Sequence, residues 1–497
     1  FRYARNLSDG LGLVWNPGEY VEGYSNFLWV LILAGIDKAG GDIVPTARWL
    51  GFALGVVSIA GAYAVCRELV DGTTGKAAGF VAAMLMATCG TFALWTFAGL
   101  ETSLFAALTL AAVLLHFRES DGLRPPLSGA VWALVAMTRP EGPLLFAVSA
   151  AFKLVEWAFR FDGRAERSGV VRETLWLAVW FAGFAALFVP YFVWRYTTYD
   201  YFFPNTYYAK VGEGLGQYNR GIAYTAQFVR EYGMWLLALV PVALALTSMR
   251  RARALYVLAL VVAYGGYVVY VGGDSLLRFR FFAPIIPLAY ALIASSGAAL
   301  VSVIPLEERA RPWRAAAAAV SVGAIVLFTL QASVNGIGVV GATGERAAVD
   351  RRVEIGRWLH DNVPDDTKIA IGPAGAVPYE SQLPTIDMLG INNEHIAHRD
   401  LPLGRFAAGH EKYDSQYVLS QAPDIIILLD VFTPAPAKRA DYDRLSGVFV
   451  PAYVDIVNTP QLWEQYEPRA VEIREGAWFN LLVRRGAGDV LALTQSP

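Results

Sequence analysis

Ten apolar stretches, at about 45–66, 76–97, 102–118, 127–138, 143–159, 174–195, 225–249, 254–271, 281–304 and 313–333, decide what this chain can become. A helix needs about 20 apolar residues to cross a hydrocarbon core, and fewer when it is embedded among other helices. The fourth and fifth stretches are short and divided by Thr138-Arg139-Pro140-Glu141-Gly142. Pro140 and Gly142 would end a helix there, so the pair reads as a hairpin buried among neighbours. Arg230 and Glu231 interrupt the start of 225–249. With 55% hydrophobic residues, 17% charged residues and a mean hydropathy of +0.40 over 497 residues, the chain does not have a soluble composition. A formal net charge of −2 supplies no domain-wide basic surface, which excludes a nucleic-acid partner.

Loop charges orient the spans. Alternate loops hold Arg67 and Lys76; Arg118 and Arg124; Arg160, Arg164, Arg167 and Arg172; Arg250, Arg251 and Arg253; and Arg309, Arg311 and Arg314. These loops are short, basic and otherwise featureless, which predicts that they are cytoplasmic. The opposite loops carry the unusual residues: Gly99-Leu100-Glu101, the 138–142 turn, 194–210, 272–280, and everything after Arg346. A multi-span chain with its polar motifs on one face is building one site there. Segment 25–36 is too short for a span, and crossing there would invert every later loop. It reads as an interfacial helix on the outer leaflet, with Trp29 and Tyr24 at headgroup level. Residues 11–24 are rich in Gly and Pro and read as loop.

After Arg346 the composition changes. Strand-like runs at 368–371, 424–429 and 479–483 alternate with polar helical stretches such as 349–362, and Asn362-Val363-Pro364-Asp365 marks a turn. The expected fold class is a polytopic α-helical membrane protein of about ten spans with a C-terminal soluble α/β domain of about 150 residues. Its expected divisions are a first periplasmic loop with the interfacial helix (1–44), a transmembrane domain (45–335) and a periplasmic α/β domain (346–497).

Gly272-Gly273-Asp274-Ser275-Leu276-Leu277-Arg278-Phe279-Arg280 combines a glycine turn, a carboxylate and two planar donors suited to phosphate. The plainer alternative has the arginines snorkelling to headgroups and Asp274 capping a helix. Arginines at an outer boundary run against the positive-inside bias, which favours a site. In 194–210, the tyrosines fit an aromatic belt equally well, while Arg195 and Lys210 would bind an anion and Asn205 and Thr206 sugar hydroxyls. Arg139 and Glu141 read as neutralising each other or a neighbour, and Glu101 as a helix N-terminal carboxylate. His395, His398 and His410 fall in a polar stretch from Asp387 to Lys412, and His410 is the strongest candidate among them. Cys66 and Cys89 sit in or beside apolar segments and read as small core residues. The five histidines show no zinc-ligand spacing, so no metal site is expected.

The run Phe1-Arg2-Tyr3-Ala4-Arg5-Asn6-Leu7, followed by Gly12-Leu13-Val14-Trp15-Asn16-Pro17-Gly18-Glu19-Tyr20-Val21-Glu22-Gly23-Tyr24-Ser25-Asn26-Phe27-Leu28-Trp29, resembles the first outer loop of a GT-C glycosyltransferase group. The 138–142, 204–210 and 272–280 motifs, with Pro284 and Pro287 after them, are similar to the same group. Its nearest branch is the mycobacterial terminal β-(1→2)-arabinofuranosyltransferase and its bacterial homologues.

That resemblance implies a sugar carried on a polyprenyl phosphate, arabinofuranose among the candidates, and an extracytoplasmic active site in a bacterial inner membrane. The acceptor would be a cell-envelope glycan, lipid or protein. It also implies an acidic pair supplying the catalytic base just before the Phe-Arg-Tyr segment, so the expectation is of an N-terminally truncated chain. Lys210, Arg278, Arg280 and Arg195 are the expected donor-phosphate residues. Glu22, Asn205, Asp274 and His410 are expected at sugar or acceptor, with Asp274 and Glu22 also able to hold a metal. No motif requires a cofactor, although a divalent cation is compatible with the chemistry. A non-enzymatic scaffold or regulator of the flagellar-motor-associated type is the alternative. A transporter fits less well, because it needs polar residues within the bilayer.

Overall fold

The computed structural model describes residues 1–120, 125–160, 167–212, 214–276, 278–304, 323, 326–328, 330–331, 338–447 and 450–486. Arg124, Arg164, Arg309, Arg311 and Arg314, and most of the expected span 313–333, lie outside the described residues. The chain divides into two compact units: an α/β unit of Phe1–Ser25, Thr198–Arg220 and Val339–Pro497, and a helical unit of Asn26–Thr197 and Gly221–Gly338.

In the helical unit, Ile43–Leu69, Thr102–Ser120, Gly142–Phe159, Gly169–Tyr199 and Arg251–Tyr270 are long and apolar enough to cross a membrane. Gly72–Thr88 with Gly90–Phe97, and Leu215–Glu231 with Met234–Leu246, are pairs bent by 63° and 85°. The second bend falls at Gly233, whose φ of +67° is left-handed, just after the charged interruption at Arg230 and Glu231. Ser128–Thr138 and Ile286–Ser302 are shorter apolar helices. Every residue from Ile286 to Ser296 is buried, so the last of these is enclosed on all sides by protein and need not match the bilayer alone. Each expected span between 45 and 304 coincides with one of these helices or pairs.

Small residues set the packing. Gly51, Gly55, Ser58 and Ala62 line one buried stripe of Ile43–Leu69. A Cβ on Gly51 would lie 2.4 Å from the Thr96 carbonyl oxygen, and one on Gly55 2.5 Å from Thr96 Cγ2. That close approach is what a small-xxx-small stripe permits.

Two local expectations are corrected. Segment 25–36 is helical, as Phe27–Lys38, but Trp29 is buried and its Nε1 donates to the Gly99 carbonyl at 3.1 Å. Tyr24 is buried too, its hydroxyl 3.1 Å from that of Tyr199, so both polar tips have protein partners rather than headgroups. The motif from Trp194 does not open a loop there. The helix Arg167–Tyr199 runs five residues further, through Pro190, and stops before Asp200, whose φ is +61°.

The α/β unit is built on a six-stranded sheet. Strand β1 (Ile369–Ile371) pairs in parallel with β2 (Thr385–Asp387) and β3 (Ile425–Ile427). Strand β6 (Ala477–Arg484) runs antiparallel to β3, to β4 (Phe432–Thr433) and to β5 (Tyr466–Arg474). The apolar runs of β1 (Ile-Ala-Ile) and β3 (Ile-Ile-Ile) are continuous because both faces are covered. Ile369, Ile371, Ile425 and Ile427 pack with Ile355 and Leu359 of the helix Gly338–Asn362. Ala370 and Ile426 face the other way, onto Val418, Ile456 and Leu462.

The first 25 residues are part of this unit. Asn16 acts as a strand would at β2: its Oδ1 accepts the Thr385 amide at 3.0 Å and its Nδ2 donates to the Thr385 carbonyl at 3.0 Å. Buried Arg2 donates to the carbonyls of Trp15 (2.8 Å), Pro378 (2.9 Å) and Leu383 (2.9 Å). At the end of β2, Asp387 is fully buried. Its carboxylate accepts from Leu389 N (3.0 Å), Asn392 N (2.8 Å) and Asn392 Nδ2 (2.9 Å), closing the turn after the strand. Burial pushes its carboxyl pKa up, against the pull of the Asn392 and Leu389 amides. Asp387→Ala would strip three buried donors of their acceptor, a local loss on the order of 3 kcal/mol. Hydrogen exchange on the intact protein should then speed up about 100-fold across 388–397 and not in the helix Ile43–Leu69. Unchanged exchange at 388–397 would contradict this role.

Candidate functional site

The helix Ser128–Thr138 stops because Arg139 precedes a proline and is held extended, with φ −154° and ψ 151°. The next helix begins at Gly142, where a Cβ would sit 2.4 Å from Ala136 Cα, so only glycine allows so tight a return. The turn delivers a buried guanidinium to two carboxylates. Arg139 Nη1 donates to Glu101 Oε1 at 2.8 Å, and Nε to Glu141 Oε1 at 2.5 Å. Tyr264 Oη donates to the same Glu141 oxygen at 2.9 Å, and Asn26 Nδ2 to Glu101 Oε2 at 3.0 Å. Glu141 Oε2 is buried without a hydrogen-bond partner among the described residues. Two carboxylates on one guanidinium leave a formal charge of −1, with one oxygen still able to accept a proton or a hydroxyl.

The 272–280 motif adjoins this cluster. Gly272 and Gly273 turn the chain with φ of +80° and +72°, and a Cβ on Gly273 would lie 2.8 Å from the Tyr224 ring. Arg278 and Phe279 are also left-handed, at +60° and +51°, an uncommon pair of conformations for residues with side chains. Asp274 takes Arg280 on both oxygens, from Nε at 2.7 Å and from Nη2 at 3.1 Å. Arg280 Nη1 has no partner among the described residues and can still donate. The guanidiniums of Arg139 and Arg280 lie 5.5 and 5.1 Å from the centroid of the Phe281 ring, and Arg280 lies 5.7 Å from that of Trp95. Trp95 Nε1 donates to the Arg278 carbonyl at 3.4 Å, and the Arg278 side chain lies beside Cys89 and the Tyr232 hydroxyl. The result is an aromatic-lined patch holding two arginines and three acids.

The expected phosphate residues therefore divide. Arg195, Arg278 and Arg280 belong to the helical unit, and Lys210 to the α/β unit. Arg195 is buried in its helix with its guanidinium 5.7 Å from the Phe192 ring. Lys210 ends the short helix Asn205–Lys210 and packs over Gly409, where a Cβ would lie 2.9 Å from Lys210 Cε. His410 follows directly, with Nδ1 3.3 Å from the Ala408 carbonyl. Asn205 Nδ2 donates to the carbonyls of Gly390 (2.9 Å) and Ile391 (3.0 Å), and its amide to the carbonyl of buried Glu22 (3.0 Å). That side-chain amide thus braces a loop. Asp274 is engaged by Arg280 rather than open to a metal, and among the described residues no three His, Cys, Asp or Glu side chains converge to hold one.

Sequence reasoning paired Arg139 with Glu141, as observed, but did not bring Glu101 and Tyr264 to them. Ionisable residues at the ends of apolar spans were the available signal. Removing Arg139 would leave the buried Glu141 and the half-buried Glu101 carboxylates repelling each other, a loss of about 3–5 kcal/mol. Arg139→Leu should therefore lower the melting temperature of the detergent-purified protein much further than Glu101→Gln, which leaves Arg139 paired with Glu141. Equal melting of the two variants would refute the clamp.

A family profile described as "Domain of unknown function (DUF8728)" matches residues 333–480. No curated protein sequence matches the chain. Among solved structures, ArnT from Cupriavidus metallidurans in the apo state aligns with a TM-score of 0.54 at 13% identity, over 98% of this chain and 93% of that one. The same protein bound to undecaprenyl phosphate aligns at 0.53 and 12% identity, with the same coverage. The Archaeoglobus fulgidus oligosaccharyltransferase in complex with Zn and sulfate aligns at 0.50 and 15% identity, over 78% of this chain. The alignment spans only 57% of that longer enzyme. At such identities the likeness is one of fold. The chain is a polytopic α-helical membrane protein that shares the fold of ArnT and carries a C-terminal α/β domain.

Proposed function

We propose that this protein is a membrane glycosyltransferase that moves a sugar from a polyprenyl phosphate to a cell-envelope glycan, lipid or protein. The observation that carries the reading is the match over nearly the whole of both chains to ArnT, which was solved with undecaprenyl phosphate bound. Arginine at the aromatic patch supplies what a departing lipid phosphate needs: a cation preorganised by Asp274 with a donor still available on Nη1. Arg278, Arg195 and Lys210 are the further donor-phosphate candidates. Glu22, Asp274, Asn205 and His410 remain candidates for sugar or acceptor, and the resemblance of the first loop favours arabinofuranose. The basic alternate loops support an inner-membrane protein with the polar motifs, residues 1–44 and the 346–497 domain on the extracytoplasmic face.

The second reading, a non-enzymatic scaffold, draws on the pairing of Asp274 with Arg280 and of Glu101 and Glu141 with Arg139, which suits a purely structural role. A transfer assay with short-chain polyprenyl-phosphate pentoses and hexoses separates the two. In a version of the protein that transfers sugar, Arg280→Ala and Lys210→Ala should each reduce transfer by about 100-fold or more. Undiminished transfer by both variants would overturn the phosphate assignment. Absence of transfer and of donor binding across all the donors would favour the scaffold.

A further inference from the structure

The α/β unit carries a polar cleft of about 310 Å³, distinct from the arginine and carboxylate cluster of the helical unit. It lies between the N-terminal segment and the turn after β2, and its walls include Asn16, Glu19, Tyr20, Lys368, Glu394 and Tyr417. Its volume falls at the small end of ligand sites, enough for one or two sugar rings. Its lining is unlike that of most such sites, which are largely apolar.

The cleft combines acceptors, donors and ring faces. Glu19 accepts Asn16 Nδ2 on Oε2 (2.9 Å) and Glu394 accepts Tyr201 Oη on Oε1 (2.6 Å); the second oxygen of each carboxylate makes no hydrogen bond among the described residues. Among the described residues Lys368 Nζ reaches only the Gln421 carbonyl, at 3.4 Å, and keeps donors to offer. Tyr417 is fixed by ring stacking on His395 at 4.0 Å, and His395 is in turn held by Asp414 at 2.9 Å. Tyr20 is 56% exposed on the rim, a large ring held in water with no core to join. Fixed carboxylates, an ammonium and aromatic rings together suit a ligand whose every edge both donates and accepts and whose faces are C–H. That is a polyhydroxylated sugar. Two carboxylates against one ammonium select a neutral sugar over an acidic one.

We propose that this cleft binds one or two neutral sugar residues of a glycan acceptor, an assignment that rests on the glycosyltransferase reading for its purpose but on the cleft for its chemistry. Saturation-transfer NMR on the full-length protein in detergent tests it with arabinofuranobiose, mannobiose, cellobiose and galacturonobiose as probes. At least one neutral disaccharide should bind. Tyr20→Ala and Lys368→Ala, both on exposed or rim positions, should each weaken it about three- to tenfold without shifting the melting temperature. No neutral binding, preference for galacturonobiose, or unchanged affinity in both variants overturns the cleft, whether or not the protein transfers sugar. Binding weakened in both variants without transfer from any lipid donor supports the cleft and counts against the transferase instead.

Discussion

One guanidinium organises the polar end of the helical unit. Arg139 stands between Glu101, at the start of one apolar helix, and Glu141, at the start of another, and through Tyr264 and Asn26 it reaches two further elements. In a low-dielectric surrounding, ions are tolerated only when they are paired and hydrogen-bonded, so these segments must reach their places together or not at all. The cluster thereby fixes the turn at Pro140, and with it the Phe281 ring against which Arg280 also lies. The geometry of the 272–280 segment, including its run of left-handed residues, rests on that frame.

The α/β unit has a corresponding anchor in Asp387 and Arg2, used differently. Asp387 collects three donors from its own turn, whereas Arg2 distributes its donors among carbonyls from the N-terminal loop and the segment before β2. The first is local closure of a loop; the second fastens a remote strand-like segment to a sheet edge. Together they shape the walls between which the polar cleft opens.

Much of this was legible in the amino-acid sequence, because apolar length and the flanking prolines and glycines are local properties. The spans between 45 and 304, the hairpin at Pro140 and the strands of isoleucine came from such signals. What escaped depends on partners far along the chain. Glu101 looked like a helix N-terminal carboxylate because nothing local points to Arg139, 38 residues away. Trp29 looked like an interfacial anchor, although its indole N–H finds the Gly99 carbonyl 70 residues on. Tryptophan serves both uses, and only the presence of a buried acceptor distinguishes them. Strands β2, β4 and β5 were missed: Thr385–Asp387 and Phe432–Thr433 carry no apolar run like those of β1 and β3, and Tyr466–Arg474 mixes Glu467, Pro468, Arg469 and Glu472 among its apolar residues.

The α/β unit is assembled from three stretches separated by the helical unit. Arg2 and Leu383, 381 positions apart, meet in the folded unit. A ribosome adding about 5–20 residues per second would expose the early segment for tens of seconds before its partners exist. During that interval Asn16, Tyr3 and Arg2 have no sheet edge to join, and their apolar neighbours Val14 and Trp15 stand in water. Residues 1–25 therefore cannot complete their contacts until the stretch from 339 onward has been made. A chaperone that shelters the early segment, or a delay in synthesis of the final third, would act on yield without touching any residue of the finished site.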